Sequence, residues 1–346
     1  MAVGILAVFR LAAGLRQGRA ARWARFLLGA VASVGLGWLA LHQMDWREVY
    51  HTFKDFPVSS ALLGALAFGA AMVLRACRWY VLFVVERVSL RRLFLVQNAG
   101  IGLNNLLPVR ALSEPIQFLL ITRRDGISGE TAFATLVTAN VLDIFASALM
   151  MGLGVLLYPP LQGISIQLFG AFILSIVTLL VLVLVLVVRG AGGLPFVGRL
   201  AVVRRVVWAM NALKRERLRL TLSFFATAGH WVFLGVGGWV LARGLGMNVA
   251  LGALVVIFVA TDFFTSAVPS LPGAAGTFEF AVIYTLGLFS VGPGPAFAFA
   301  VVAHLIKFLP SVVIALVLLP KEGFGIFGRR PVPSVAVSEA AGPGAG

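Results

Sequence analysis

An all-α, polytopic integral membrane bundle is the fold class this sequence predicts, and three observations predict it. The 346 residues are 60% hydrophobic and only 12% charged, about half the charged fraction of a soluble domain. Apolar runs recur at the length of about 20 residues that a helix needs to cross the hydrocarbon core. The 28 Lys and Arg residues outnumber the 13 acids to give a net charge of +15, and they gather in short clusters between the apolar runs. That is the pattern by which basic residues orient membrane helices. It also speaks against nucleic acid as the partner of a chain with pI near 11.5, since no large soluble domain is there to carry a basic surface.

Taken in order, residues 1–25 read as a basic amphipathic segment on the inner membrane surface, with Arg10, Arg16, Arg19, Arg22 and Arg25 facing anionic lipid. A signal peptide does not fit, because the apolar stretch precedes the arginines and no clear cleavage site follows. Full spans are expected at 26–43, 58–80, 128–157, 166–188, 220–242 and 295–319. The polar, slightly acidic connection 44–57 belongs outside. Arg75, Arg78, Arg87, Arg91 and Arg92 mark a return to the inside. Residues 189–219 carry Arg189, Arg199, Arg204, Arg205, Lys214, Arg215, Arg217 and Arg219 against Glu216 alone, which makes them a cytoplasmic loop. Tyr158-Pro159-Pro160 and the turn Gly292-Pro293-Gly294-Pro295 fit the outer side. Residues 321–346 return inside as a Pro/Gly/Ala tail expected to be disordered. The membrane domain is thus 26–320, with both termini cytoplasmic and the plasma (inner) membrane as its location.

Two apolar segments are broken. Residues 92–122 are interrupted at Asn104-Asn105-Leu106-Leu107-Pro108-Val109-Arg110-Ala111-Leu112-Ser113-Glu114-Pro115, and Arg91-Arg92 and Arg123-Arg124 give both flanks the same basic character. The segment therefore reads as a hairpin that enters the membrane and returns. Irregular backbone at depth is tolerated only where protein or a water-filled cavity solvates it. A second break, Val268-Pro269-Ser270-Leu271-Pro272-Gly273-Ala274-Ala275-Gly276-Thr277-Phe278-Glu279, separates the apolar pieces 249–268 and 277–290 and reads as a hairpin from the opposite face. Such a pair resembles the inverted repeats of transporters, although the halves show no residue-level self-similarity. Two short complete spans in each place would give the same topology.

Each break places a turn before a new helix. Ser113 is expected as an N-cap, and Pro115 suits a first helical turn. Gly273 and Gly276 permit tight backbone before Glu279. Free N–H groups at helix N-termini attract anions, and Arg110 stands beside one of them, so a phosphate-bearing lipid headgroup is the natural guest. The competing reading is a pair of packing kinks with Arg110 snorkelling to the surface. Asp143, His230, Asp262, Glu279, His304 and Lys307 are further ionisable groups inside apolar segments. A charge at the bilayer centre costs about 2.5–3.5 kcal/mol even on lenient scales, so these groups should face the interior and pair. Acids (Glu114, Asp143, Asp262, Glu279) outnumber strong bases (Arg110, Lys307) in this count. His230 reads as a packed, hydrogen-bonded residue. Arg75 and Arg78, three apart on one helical face, read as inner-leaflet anchors compatible with a role in headgroup binding.

Signatures of soluble chemistry such as G-x-x-x-x-G-K-S/T, H-E-x-x-H and G-x-S-x-G are absent from the sequence. The single cysteine, Cys77, allows neither an intrachain disulfide nor a Cys-based metal site. No cofactor and no metal are expected.

At the motifs Arg75-Ala76-Cys77-Arg78-Trp79, Asn105-Leu106-Leu107-Pro108-Val109-Arg110 followed by Glu114, Asp143 in its helix, and Pro272-Gly273-Ala274-Ala275-Gly276 followed by Glu279, the chain resembles the lysylphosphatidylglycerol synthase transmembrane family. These are flippase-like proteins related to the N-terminal half of the multiple peptide resistance factor. The resemblance covers about residues 26–320. Departures from the family pattern include Ser113 before Glu114, Gln117 where an Arg stands, Ala139-Asn140 where a Glu-Arg pair stands, and His304 with Lys307 in place of an Arg in the last span. Residues after 320 are too few for the family's aminoacyl-transferase domain, so lipid aminoacylation by this chain alone is not expected. The resemblance implies a protein that moves an amphipathic, phosphate-bearing lipid between leaflets. Arg110, Glu114, Asp143, Asp262, Glu279 and Lys307 would line its polar cavity, with Gly273, Gly276, Arg75 and Arg78 as further lipid-binding positions. Two alternatives stand beside it: a membrane enzyme acting on a lipid-linked substrate, and an accessory subunit recruiting a transferase through 189–219.

Overall fold

The computed structural model describes residues 19–42, 44–84, 86–107, 112–162, 215–268 and 270–323, with side chains from Leu27 onward. Among these residues all regular structure is helical. Helices α1 (Arg19–Leu41), α2 (Trp46–Lys54) and α3 (Val58–Tyr80) are followed by α4 (Leu90–Leu106), α5 (Ser113–Arg123) and α6 (Gly129–Leu157). After residue 215 come α7 (Arg217–Gly244), α8 (Leu251–Ala267), α9 (Thr277–Gly287) and α10 (Pro293–Lys321). The expected span 166–188, nearly all of the loop 189–219, most of the segment 1–25 and most of the tail 321–346 lie outside the described residues.

Helices α3, α6, α7 and α10 are long and apolar enough to cross a membrane, matching four of the expected spans. The expected span 26–43 is α1, which meets α2 at a bend of 84°. The connection 44–57 is thus not the plain polar link expected. Asp45 caps α2 by accepting the Arg47 N–H at 2.8 Å, and Trp46 and Tyr50 stay exposed on it. This helix suits a membrane–water boundary, where amphipathic rings settle. Gly292-Pro293-Gly294-Pro295 is likewise not a free turn: Pro293 opens α10, where its missing N–H costs nothing. Tyr158-Pro159-Pro160 runs into a single helical turn, Pro159–Gln162.

Helices α4 and α8 have 17 residues each, and α5 and α9 have 11. At 1.5 Å per residue these reach roughly 25 Å and 16 Å, short of a hydrocarbon core of about 30 Å. Both apolar segments are therefore broken where the sequence breaks them.

Small residues set the packing, as between helices that gain little from hydrophobic contrast in lipid. The most extensive helix pair is α3 with α7. A Cβ on Gly237 of α7 would lie 3.2 Å from the Gly64 carbonyl of α3, so the two backbones meet directly. Helix α10 approaches α4 as closely, since a Cβ on Gly102 would overlap the Ser311 carbonyl. One buried core joins α7, α8, α9 and α10 around Phe258, Phe278 and Phe299. A second joins the end of α3 to α4, α5 and the start of α6 around Trp79, Leu93 and Leu120.

Ion pairs fasten the ends of the first broken segment. The Arg92 guanidinium donates to both Asp125 oxygens at 2.9 Å and to Glu322 at 2.6 Å. Arg124 donates to the Glu322 carbonyl at 2.7 Å. The start of α4, the residues after α5 and the end of α10 therefore lie together, so α4 and α5 form a helical hairpin.

Candidate functional site

A cavity of about 280 Å³ lies where six helices converge. Its walls come from α3 (Met72, Arg75), α4 (Asn98, Asn104, Asn105), α5 (Ser113, Glu114), α7 (His230), α8 (Asp262, Ser266) and α10 (Lys307, Ser311). Both halves of the chain thus contribute, and the first break supplies one whole side.

That side is built by amide side chains. Asn104, in the last turn of α4, accepts the Leu112 N–H at 3.0 Å across the break, which closes the hairpin tip. Asn105 donates to the Ser311 hydroxyl of α10 at 3.2 Å. Ser113 is not the N-cap expected of it. Leu112 holds that position without a side-chain bond, and the buried Ser113 hydroxyl instead accepts from Gln117 at 2.7 Å. Gln117, one of the departures from the family motif, is therefore absorbed in fixing the start of α5. Glu114 follows in the first turn, exposed, and faces the cavity. Arg110 lies outside the described residues.

The second break meets the first at the cavity's edge. A Cβ on Gly273 would lie 3.8 Å from the Asn105 carbonyl and 3.9 Å from His304 Nε2. Gly273 and Gly276 have φ of 71° and 80°, a region that side chains rarely occupy, which is why glycine stands at both. The Gly276 N–H donates to Glu279 Oε2 at 2.7 Å, and Glu279 Oε1 lies 2.5 Å from His304 Nδ1. The Leu271 N–H donates to Ser33 of α1 at 2.8 Å. The turn is thus held from inside at Leu271, Gly276 and Glu279, while the buried Ser270 hydroxyl has no hydrogen-bond partner among the described residues.

The acids predicted to pair do so. Lys307 bonds Asp262, with its Nζ 5.7–5.8 Å from the ring centres of Phe258, Phe278 and Phe308. Asp143 sits 2.6 Å from Arg78 and accepts the Trp231 N–H at 3.1 Å. Neither Asp143 nor Glu279 lines the cavity; each is bound behind its wall. The excess of acids over bases in the sequence count is corrected here, because Arg78 and His304 serve as partners that the count left out.

The reading of Arg75 and Arg78 as surface anchors is also corrected. Arg78 is 2% exposed, held inside by Asp143 because a buried cation needs a charge partner. Arg75, one turn earlier, lines the cavity, and its Nε is buried without a hydrogen-bond partner. No ion pair to Arg75 occurs among the described residues. It supplies the cavity with positive charge that Lys307, spent on Asp262, does not.

His230 was read as packed and hydrogen-bonded, and it is: its Nδ1 lies 2.8 Å from the Ala71 carbonyl. It also belongs to the cavity wall, as do Asn98 and Ser311. The sequence singles out His230 as an ionisable group but not Asn98 or Ser311, because a neutral polar residue in an apolar run carries no sign of which way it faces. No cluster of His, Cys, Asp and Glu suited to a metal occurs among the described residues.

A family model described as the lysylphosphatidylglycerol synthase TM region matches residues 26–315. A UPF0104 membrane protein of Methanothermobacter thermautotrophicus is 24% identical over 263 residues, which covers 69% of this chain and 78% of that protein.

Proposed function

The chain belongs to the lysylphosphatidylglycerol synthase TM region family, and on that premise we propose that it binds a phosphate-bearing amphipathic lipid and moves it between leaflets. The observation that carries this reading is Arg75, a guanidinium without an ion-pair partner among the described residues, beside a cavity of about 280 Å³. A planar guanidinium offers five N–H donors in a fork that matches phosphate oxygens. Left unpaired inside a bundle it is costly, and an anionic headgroup relieves that cost. Asn98, Asn104 and Asn105 add neutral donors and acceptors for the remaining headgroup atoms. Glu114, exposed in the first turn of α5 and part of the cavity wall, is a carboxylate that would steer or relay charge as the headgroup enters. Arg110, next to this tip in sequence, remains proposed as a second counter-charge.

The two breaks are proposed as re-entrant hairpins from opposite faces, with the foot joined by Arg92, Asp125 and Glu322 on the cytoplasmic side of the plasma membrane. Alternating access in such a frame is a rocking of one half against the other around a fixed midplane site. The energy source would be the lipid gradient, the membrane potential or protons.

The test is reconstitution into liposomes with headgroup-labelled lipids, read as exchange between leaflets. Accelerated exchange of phosphate-bearing lipids, with none for a diacylglycerol carrying no phosphate, is the expected result. Exchange no faster than in protein-free liposomes for every lipid of the panel would refute the proposal.

A further inference from the structure

His230 is a buried titratable group in the cavity wall to which the proposed function gives no task. Its Nδ1 faces the Ala71 carbonyl at 2.8 Å. A carbonyl oxygen only accepts, so Nδ1 carries the hydrogen and Nε2 is the ring nitrogen left for another partner. Ala71 stands one helical turn before Arg75 on α3, and His230 reaches the same cavity from the facing helix α7. An imidazole on α7 and a guanidinium on α3, the latter without an ion-pair partner among the described residues, therefore line the same cavity.

Resting on the phosphate-binding reading above, we infer that His230 and Arg75 form a two-sided phosphate clamp, in which His230 takes up a proton as the headgroup enters. In the neutral ring Nε2 presents a lone pair, which repels a phosphate oxygen. With a proton added it becomes an N–H donor, and its bond to an anion is charge-assisted. The balance is simple: the imidazole gains a proton from water and becomes imidazolium, while Nδ1 keeps its bond to Ala71. Burial of the ring disfavours its charged form first of all, and the charged groups around it act on top of that. Arg75 and Arg78 of α3 repel a further positive charge, and Asp143 of α6 attracts it, though Asp143 is already matched by Arg78 at 2.6 Å. Of the other cavity charges, Asp262 of α8 and Lys307 of α10 cancel each other, and Glu114 of α5 lies at the exposed side. A phosphate seated at Arg75 supplies the negative charge that tips the ring toward its charged form. By linkage, acid must then strengthen lipid binding as much as lipid strengthens protonation.

The experiment is titration calorimetry of the full chain in detergent with dihexanoyl phosphatidylglycerol, repeated in buffers of different ionisation enthalpy. The probe's phosphodiester does not titrate between about pH 6 and 8, the window of the experiment, so protons taken up there belong to the protein. Wild type is expected to take up a proton with the lipid, its affinity rising by up to about tenfold per pH unit of acidification. His230→Gln is expected to bind with pH-independent affinity and buffer-independent heat, and Arg75→Gln not to bind. Wild-type heats equal in all buffers, or proton uptake persisting in His230→Gln, would overturn the clamp. Should His230→Gln fail to fold, His230→Asn takes its place, and wild-type heats equal in all buffers overturn the clamp without either variant. Absence of wild-type binding overturns the clamp together with the function it rests on, whereas binding without proton uptake overturns the clamp alone.

Discussion

The two breaks in the apolar sequence look alike on the page and are built differently. At the second, the described polar groups turn inward. Glu279 takes the Gly276 N–H and faces His304, Ser33 takes the Leu271 N–H, and a Cβ on Gly276 would overlap the Ser33 carbonyl. At the first, one side of the tip is closed by Asn104 and Leu112, while Asn105, Ser113 and Glu114 face a cavity. One break is a fastening and the other a wall. A proline- or glycine-rich interruption in a membrane segment is therefore not by itself a binding site. What separates the two cases is that Asn104, Asn105, Ser113 and Glu114 of the first break line the cavity, and the described residues of the second do not.

The contrast predicts effects of different kinds and sizes. The largest is expected at Gly276→Ala, where a positive φ of 80° and overlap with α1 add together. Strained backbone alone costs about 1–3 kcal/mol, and the overlap comes on top, so little monodisperse protein should survive detergent extraction. Wild-type yield and melting would show that the second turn is looser than described. Next comes Glu279→Gln, which removes the charge facing His304 but keeps an acceptor for Gly276. A loss of about 1–3 kcal/mol is expected for a weakened buried hydrogen bond to a charged group, read as a lower melting temperature. Glu114→Gln, at the exposed edge of the cavity, should leave stability within about 0.5 kcal/mol while slowing lipid exchange several-fold. A larger loss of stability than in Glu279→Gln would reverse the assignment of wall and fastening.

The smallest perturbation is a label. In a Cys77→Ala background, single cysteines at Arg91 and Arg124 should react only from the cytoplasmic side. One at Ser113, 4% exposed, should be protected or reached only by small reagents. Free reaction of the Ser113 position with a bulky impermeant reagent from outside would make the first hairpin two spans.

The long helices were legible in the sequence because length and hydropathy suffice to find them: 58–80, 128–157, 220–242 and 295–319 all correspond to spanning helices. The breaks were legible for the same reason, through Pro108, Pro115, Pro272 and the glycines around them. Helix α2 was not, because nine residues of mixed polarity look like a loop until Asp45 caps them and a membrane boundary is imagined beside them. Arg75 and Arg78 were misread since depth was judged from neighbouring basic residues. The partner that draws Arg78 inward, Asp143, is distant in sequence, and nothing local announces it. Glu114, Asp262 and Lys307 were expected to line a polar cavity from charge in an apolar context, and one cavity has all three in its wall. Asn98 and Ser311 carried no such signal, and His230 carried it but read as a packing residue.

The central claim is that Arg75, rather than the paired charges around it, is the anchor for a lipid phosphate. The most direct test is leaflet exchange of a labelled phospholipid by Arg75→Gln in liposomes, beside wild type and with melting measured on both. No intrachain partner is lost with this guanidinium among the described residues, so Arg75→Gln should melt no lower than wild type. Its exchange should fall to the protein-free rate. Exchange at the wild-type rate in a well-folded Arg75→Gln protein would contradict the account and leave the cavity without its proposed ligand.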